Sequence, residues 1–341
     1  MTHAAAPLTS VAVVGAGAWG TALAALLARQ GSQVTLWCRE PEVAEGILRQ
    51  RRNPFHLSDM DLPPGVRPTT DLAAVARDHE LLVMVVPTQF TRGVLTALRP
   101  HVSAHTAYVT ASKGIELHSG ALVSDIYRDV LGEAAVRRVC PLSGPSFARE
   151  VLLGLPTAVA IAGEDPQLLS RLQRLFHTEH FRTYTSDDVV GVELGGAVKN
   201  VIAIACGIGD GLGFGHNARA ALITRGLAEI TRLGVALGGR PETFAGLSGM
   251  GDLLLTATSE QSRNRTLGFR LGRGETLAAI QSGGRDVAEG VATARSVEAL
   301  ARRLGVDMPI TAAVDRILHA GADPRGVVAE LLRRDPRPES D

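Results

Sequence analysis

Residues Ser10 to Gly20 read S-V-A-V-V-G-A-G-A-W-G, and no other stretch of the chain leaves so few options for what surrounds it. Val11 to Val14 form an apolar run of strand length, Gly15-Ala16-Gly17-Ala18-Trp19-Gly20 follows as G-x-G-x-x-G, and Thr21 to Gln30 is an alanine-rich helical pattern. Strand, glycine turn and helix is the order a dinucleotide site requires. Gly15 permits the tight turn, Gly17 leaves room for a pyrophosphate against bare backbone, and Gly20 lets the helix pack close to the strand. The helix start, Ala18 and Trp19 included, then turns unpaired N–H groups toward the phosphates.

A chain of 341 residues, 45% of them apolar, has the size of two domains. Lys+Arg and Asp+Glu stand at 35 each, so nothing global points to nucleic acid or to an anionic membrane, and any anion site must be local. Cys38, Cys140 and Cys206 are scattered, odd in number and without metal-ligand spacing, as in a reduced cytoplasmic protein. Val11 to Ala28 is apolar enough to imitate a signal peptide or a membrane span. Its glycines fall at turn positions, however, and Met1 to Ser10 lacks a basic segment, so buried strand plus helix is the expectation. No other stretch reads as long and uncharged enough to span a bilayer, and no membrane insertion is expected.

The rest of the chain repeats the strand–helix alternation. Gln33 to Trp37 is the second strand, after a helix stop at Gly31. Asn53 to Thr70 is proline-rich and reads as an irregular loop over the cofactor edge, and Asp71 caps a short helix. Leu81 to Val86 is fully apolar, as a buried parallel strand should be, and Pro87-Thr88 opens a helix to about Leu98. Thr106 to Thr110, Arg138 to Leu142, Thr157 to Ala162 and Phe181 to Tyr184 are further strands, with a helix from Pro166 to Phe176.

Beyond Asp187-Asp188 only helical periodicity remains: Asp188–Gly207, Ala218–Leu237, Ser262–Leu271, Ala288–Leu304 and Pro309–Ala320. The expected fold is α/β, a doubly wound, mainly parallel Rossmann-type sheet joined to an all-helical domain. Residues 1–187 form the dinucleotide-binding domain, 188–332 the helical substrate domain and 333–341 a frayed tail.

Ligands of open parallel sheets gather outside the carboxyl ends of the strands, so polar residues there carry most weight. After the second strand comes Cys38-Arg39-Glu40. Arg39 suits the 2′-phosphate of NADP, with a solvated arginine as the alternative; Glu40 is either the ribose acid of an NAD enzyme or the start of a helix. The reading favours NADP over NAD. Lys113 follows the strand ending at Thr110, as a site lysine or a turn lysine. Lys199 lies in Gly195-Gly196-Ala197-Val198-Lys199-Asn200-Val201-Ile202, a helix apolar on nearly every side. An ammonium there is costly unless paired or facing a polar cleft, and burial lowers its pKa toward the range useful for proton exchange. The alternative is a structural salt bridge to Glu193 or Asp252; the catalytic reading is preferred. Ser262, Arg263 and Asn264 offer hydroxyl, guanidinium and amide at a helix start, either a local phosphate receptor or an N-cap followed by solvated arginines. His177 and His180 have no third ligand nearby, so no metal is expected. No Ser-His-Asp arrangement stands out.

Together these pieces resemble the bacterial-type NAD(P)-dependent glycerol-3-phosphate dehydrogenases. The resemblance rests on G-A-G-A-W-G at Gly15, A-S-K-G-I-E at Ala111, S-G-P-S-F-A at Ser143 and V-E-L-G-G-A-V-K-N-V at Val192. G-M-G-D-L at Gly249, S-R-N-R at Ser262 and V-A-E-G-V at Val287 complete it, in family order over nearly the whole chain. It implies reversible hydride transfer between NAD(P)H and dihydroxyacetone phosphate, giving sn-glycerol 3-phosphate for phospholipid synthesis. It implies Lys199 as the proton donor or acceptor, and Lys113, Gly144, Ser146, Asp252, Ser262, Arg263 and Asn264 around the substrate. Trp19, Arg39, Lys113, Ala148, Arg263, Val287 and Glu289 would touch the cofactor, with His56 where the family often has tyrosine. The nearest rival is a 3-hydroxyacid or 6-phosphogluconate-type dehydrogenase, which also uses a lysine and an asparagine on a helix. A non-catalytic nucleotide-sensing module is the rival from another class. The apolar helical half is compatible with a homodimer.

Overall fold

The structure, a computed structural model, describes residues 8–282, 288–336 and 338. Eight strands make one sheet: β1 (Val11–Val14), β2 (Val34–Trp37), β3 (Val66–Thr69), β4 (Leu81–Met84), β5 (Ala107–Thr110), β6 (Val139–Ser143), β7 (Thr157–Ala162) and β8 (Phe181–Ser186). Their order is β3-β2-β1-β4-β5-β6-β7-β8. Every neighbouring pair is parallel except β6 with β7. The central strands V-A-V-V, L-L-V-M and A-Y-V-T are buried at every position, which is why they lack polar alternation.

Helices cover both faces. In chain order they are α1 (Ala18–Arg29), α2 (Pro41–Gln50), α3 (Leu72–Asp78), α4 (Thr88–Leu98), α5 (Val123–Leu131), α6 (Glu133–Val136), α7 (Ala148–Leu153) and α8 (Pro166–Phe176). One apolar cluster joins α1 and α8 to β1 and β2; a second packs Leu95 and Leu98 of α4 and Ile126 and Tyr127 of α5 on the opposite face. The strand order reverses between β1 and β4, so the crevice of an open sheet opens at their carboxyl ends.

The remaining helices are α9 (Val189–Gly211), α10 (Gly215–Ala236), α11 (Pro241–Phe244), α12 (Asp252–Thr258), α13 (Arg263–Gly272), α14 (Leu277–Ser282), α15 (Glu289–Leu304), α16 (Pro309–Ala320) and α17 (Pro324–Leu332). Helix α9 is the axis of this half, buried along most of its length. Helix α13 lies against it backbone to backbone: a Cβ at Gly268 would collide with the Ile204 carbonyl, and one at Gly207 with the Arg265 carbonyl.

Several expectations need correction. The stretch Asn53–Thr70 is not wholly irregular, because it contains β3. Pro68 disguised that strand, and β3 tolerates a proline because it is the edge strand, paired only to β2. Helix α9 runs on to Gly211, past the expected end at Gly207, because α13 packs against its glycines and holds them helical. Helix α17 was not expected at all; Asp323 caps it by accepting from the Gly326 N–H at 2.8 Å. Contrary to the sequence reading, Val189–Gly211 is by length and composition apolar enough to cross a membrane; it is instead 83% buried inside the protein. Of the tail, Arg337 and residues 339–341 lie outside the described residues, while Arg334 pairs with Asp307 at 2.7 Å.

Candidate active site

The glycine turn follows β1 at the crevice. Gly15 has φ +113°, and a Cβ there would sit 2.7 Å from the Val85 carbonyl oxygen, so β1 and the end of β4 approach as only glycine allows. A Cβ at Gly20 would collide with the Gly15 carbonyl oxygen, whereas one at Gly17 would meet nothing within 4 Å. Trp19, beside it, holds a buried indole N–H without a protein partner. An open backbone face at the N-terminus of a twelve-residue helix, with an unsatisfied donor next to it, fits the pyrophosphate of a dinucleotide. Arg39 stands exposed just beyond β2, its Nε 2.8 Å from the Glu40 carboxylate, and Glu40 is also the N-cap position of α2.

The carboxyl ends of β5 and β6 carry Lys113 and Gly144. Gly144 has φ +142°, and its carbonyl accepts from Ser146 Oγ at 2.9 Å and Lys113 Nζ at 3.5 Å. Helix α9 crosses this edge at its paired glycines. A Cβ at Gly196 would stand 2.6 Å from Ser143 Oγ, and one at Gly195 would stand 2.5 Å from the Ser248 carbonyl oxygen. That close crossing sets Lys199, about one turn further on, beside Lys113. Ser248 belongs to a π-helical turn, Leu247–Gly251, which delivers Asp252 at the start of α12.

Asp252 joins the two lysines. Its Oδ2 accepts from Lys113 Nζ at 2.7 Å, and its Oδ1 accepts from Lys199 Nζ. Lys199 also donates to Thr256 Oγ1 at 2.9 Å, and that hydroxyl in turn donates to the Asp252 carbonyl at 2.6 Å. All three of Lys199, Asp252 and Thr256 are buried. Burial drives the Lys199 ammonium down to about 8, with the Lys113 charge helping and the Asp252 carboxylate opposing. Burial alone would raise the Asp252 carboxyl, but the two ammonium groups hold it below the ordinary range.

The paired-lysine site meets the N-terminus of α13. Ser262 is the N-cap, its Oγ accepting from the Arg265 N–H at 3.2 Å, so the capping alternative describes its hydroxyl. Arg263 and Asn264 occupy the first turn of α13, where the positive end of the helix dipole favours an anion. Asn264 is committed to joining helices: its Nδ2 donates to Asn200 Oδ1 and its Oδ1 accepts from the Gly290 N–H, both at 3.0 Å. Glu289 opens α15; burial raises its carboxyl, while the charges of Arg263, Lys113 and Lys199 pull it back. Those shifts place Arg263, Lys113, Lys199 and Glu289 within one electrostatic neighbourhood. Ala148 starts α7 next to the β6 end, and Val287 lies outside the described residues.

Sequence reasoning assigned no part to three residues here. Thr256 is one helical turn after Asp252, a spacing that places both on one face. Asn200 was visible beside Lys199 but carried no role until α13 was seen against it. Asn53 is fully buried in the proline-rich segment and reaches the glycine turn, a contact no local pattern announces. Helix α9 also carries Glu193, whose carboxylate accepts from the Ser124 N–H at 2.9 Å and Ser124 Oγ at 2.7 Å. Burial pushes that carboxyl up to about 7. His177 and His180 stay apart from the site, and among the described residues no cluster of three His, Cys, Asp or Glu could hold a metal ion.

The family model described as NAD-dependent glycerol-3-phosphate dehydrogenase N-terminus matches residues 10–169, and the corresponding C-terminus model matches 188–329. A Geobacter sulfurreducens protein named glycerol-3-phosphate dehydrogenase [NAD(P)+] is 53% identical over 329 residues, covering 96% of this chain and 98% of the relative. A Syntrophotalea carbinolica protein of the same name is 49% identical over 332 residues, covering 97% and 100%. The crystal structure of glycerol-3-phosphate dehydrogenase from Coxiella burnetii superposes with a TM-score of 0.91 at 41% identity, covering 95% of this chain and 98% of that one.

Proposed function

We propose roles for these residues from one premise: the chain belongs to the NAD-dependent glycerol-3-phosphate dehydrogenase family. It is an oxidoreductase that uses NAD(P)H to reduce dihydroxyacetone phosphate to sn-glycerol 3-phosphate. When bound, the reduced nicotinamide supplies the hydride that C2 of the ketone receives. The protein's own task is to hold the ketone, supply a proton to its oxygen and grip its phosphate.

Lys199 supplies the proton. An ammonium has three donors, and two of them go to Asp252 and Thr256, leaving one for the C2 oxygen. Asp252 aims both lysines from a single carboxylate, and Lys113 adds positive charge where the alkoxide develops. In the reverse direction the neutral amine accepts the alcohol proton. Arg263, with the positive end of the α13 dipole, receives the substrate phosphate; Ser262 shapes that helix start and Asn264 fixes it to α9 and α15. Gly144 and Ser146 line the β6 side of the substrate.

The cofactor lies along the turn, from Gly15, Gly17, Ala18, Trp19 and Gly20 toward Ala148, with Lys113, Arg263 and Glu289 at the nicotinamide end. Arg39, at the other end with His56 on the adjoining loop, favours NADP. The division at 187/188 belongs to the same reading, supported by a sheet that ends at Ser186 and helices that begin at Val189. So does a cytoplasmic homodimer. Three free, buried cysteines suit a reducing compartment, and Phe214, Val235, Leu254 and Phe269 give the helical half exposed apolar surface.

The observation that carries the catalytic reading is the buried aspartate shared by two lysines at the carboxyl edge of the sheet. Its test is cofactor oxidation with dihydroxyacetone phosphate, run with NADPH and with NADH, against cofactor reduction with β-hydroxyacids. Turnover of the phosphorylated ketone is expected. Turnover of β-hydroxyacids alone would transfer the site to the rival dehydrogenases.

A further inference from the structure

The segment between α2 and β3 is a closed loop with a polar core of one residue. Its ends meet where the Leu62 N–H donates to the Arg51 carbonyl at 2.8 Å, and Arg51 adopts φ +57° to turn the chain. Toward its tip, Asp59 pairs with Arg149 on α7, with one contact at 3.1 Å. Inside, Asn53 is 0% exposed and makes four hydrogen bonds. Its Oδ1 accepts from the N–H groups of Phe55 and His56 at 3.0 and 3.1 Å. Its Nδ2 donates to the Ala16 carbonyl and to Thr21 Oγ1, each at 2.8 Å.

We propose that Asn53 is a positioning residue for the dinucleotide, setting both the glycine turn and the loop beside it through one side-chain amide. The proposal rests on the reading that Gly15–Gly20 holds the cofactor. Its logic is peptide geometry. The Ala16–Gly17 peptide is planar and trans, so its C=O and N–H point in opposite directions. Holding the Ala16 carbonyl toward Asn53 turns the Gly17 N–H the other way, and a Cβ on Gly17 would meet nothing within 4 Å, so the backbone at this residue is approachable. That amide is thus aimed before any phosphate arrives, and the ordering cost is met in the free protein. The acceptor half of the same side chain fixes the amides of Phe55 and His56, so the loop and the turn move as one piece. A residue needed only to shape the loop would have no use for two donors pointed at α1 and the turn.

The test is NADPH affinity, read by tryptophan emission, together with steady-state kinetics on the full chain. Asn53→Ala removes both halves; Asn53→Asp keeps the two acceptors and loses both donors. Each variant is expected to weaken NADPH binding by about tenfold or more, the scale of losing buried hydrogen bonds. At saturating NADPH, kcat and the KM for dihydroxyacetone phosphate should stay within about threefold of wild type. A purely structural loop anchor would be rescued by Asp, so wild-type affinity in Asn53→Asp overturns the proposal. Should neither variant fold, Thr21→Ala removes one acceptor on the turn side and is expected to weaken NADPH about threefold; unchanged affinity there overturns it equally. Wild-type protein that fails to bind NADPH would overturn the cofactor reading beneath the proposal. Wild-type binding with unaltered variants would overturn the proposal alone.

Discussion

The glycine turn takes its glycines from one unbroken stretch, Ser10–Gly20, with Asn53 as the contributor from outside it, and works mainly through backbone groups. The lysine–aspartate cluster takes its charges from three separate elements, with Lys113 and Asp252 139 residues apart, and works through side chains. In the turn, φ values and open space do the selecting, and no charge is buried. In the cluster, two ammonium groups and a carboxylate are withdrawn from water, an arrangement that stabilises a fold weakly at best. The turn is held in shape by local chemistry, whereas the cluster exists only through the fold that brings its three charges together. A turn of this kind serves any dinucleotide, whereas an aspartate shared by two lysines suits the role proposed for it, the joint handling of a proton and a negative charge.

The two regions separate most visibly at Lys199. Lys199→Ala is expected to lower kcat by about 10³-fold, the scale of a lost general acid, while NADPH affinity stays within about threefold. Coupled loss of both would mean that the two regions are not separable. The next effect in size belongs to Arg263→Ala, which should raise the KM for dihydroxyacetone phosphate about 10²-fold but alter dihydroxyacetone kinetics far less. Equal effects on the two ketones would remove the phosphate role. On the turn side, Arg39→Ala should weaken NADPH about tenfold and NADH hardly at all. Equal losses would dissociate Arg39 from the 2′-phosphate.

The smallest effect concerns how the helix bearing Lys199 is docked on α5. The Glu193 carboxyl is raised to about 7, above its ordinary value, so its contribution to stability is full at acidic pH and fades as pH rises through about 7. Between about pH 5 and pH 8, wild type should therefore lose a few degrees more in Tm than Glu193→Gln, measured calorimetrically. Parallel Tm profiles for the two proteins would contradict the buried-carboxylate account.

Legibility in the sequence followed the same divide. The turn, the buried strands and most helices were readable because each depends on contiguous pattern: an apolar run, a glycine spacing, a cap. Strand β3 escaped because Pro68 argues against a strand everywhere except at an edge, and edge position is a property of the whole sheet. Lys199 was noticeable as a charge in a greasy helix, and Asp252 was one of two partners weighed for it. The second lysine on that aspartate was not foreseeable, nor was the Thr256 hydroxyl, since both depend on how α9, α12 and the β5 edge converge. Asn264 shows the converse limit: its position at a helix start suggested a ligand, while its side chain is held by Asn200 and Gly290. Ser262 similarly does for its helix what N-cap serines do.

The role proposed for Lys199 is proton exchange between its buried, partly depressed ammonium and the substrate oxygen. Its most direct test is the pH dependence of kcat in both directions, for wild type and for the residual activity of Lys199→Ala. With the ammonium titrating near 8, ketone reduction should fall as pH rises above that value, and oxidation of sn-glycerol 3-phosphate should rise through the same range. Both limbs should vanish in the variant. Limbs that persist unchanged in Lys199→Ala would place the proton on another group.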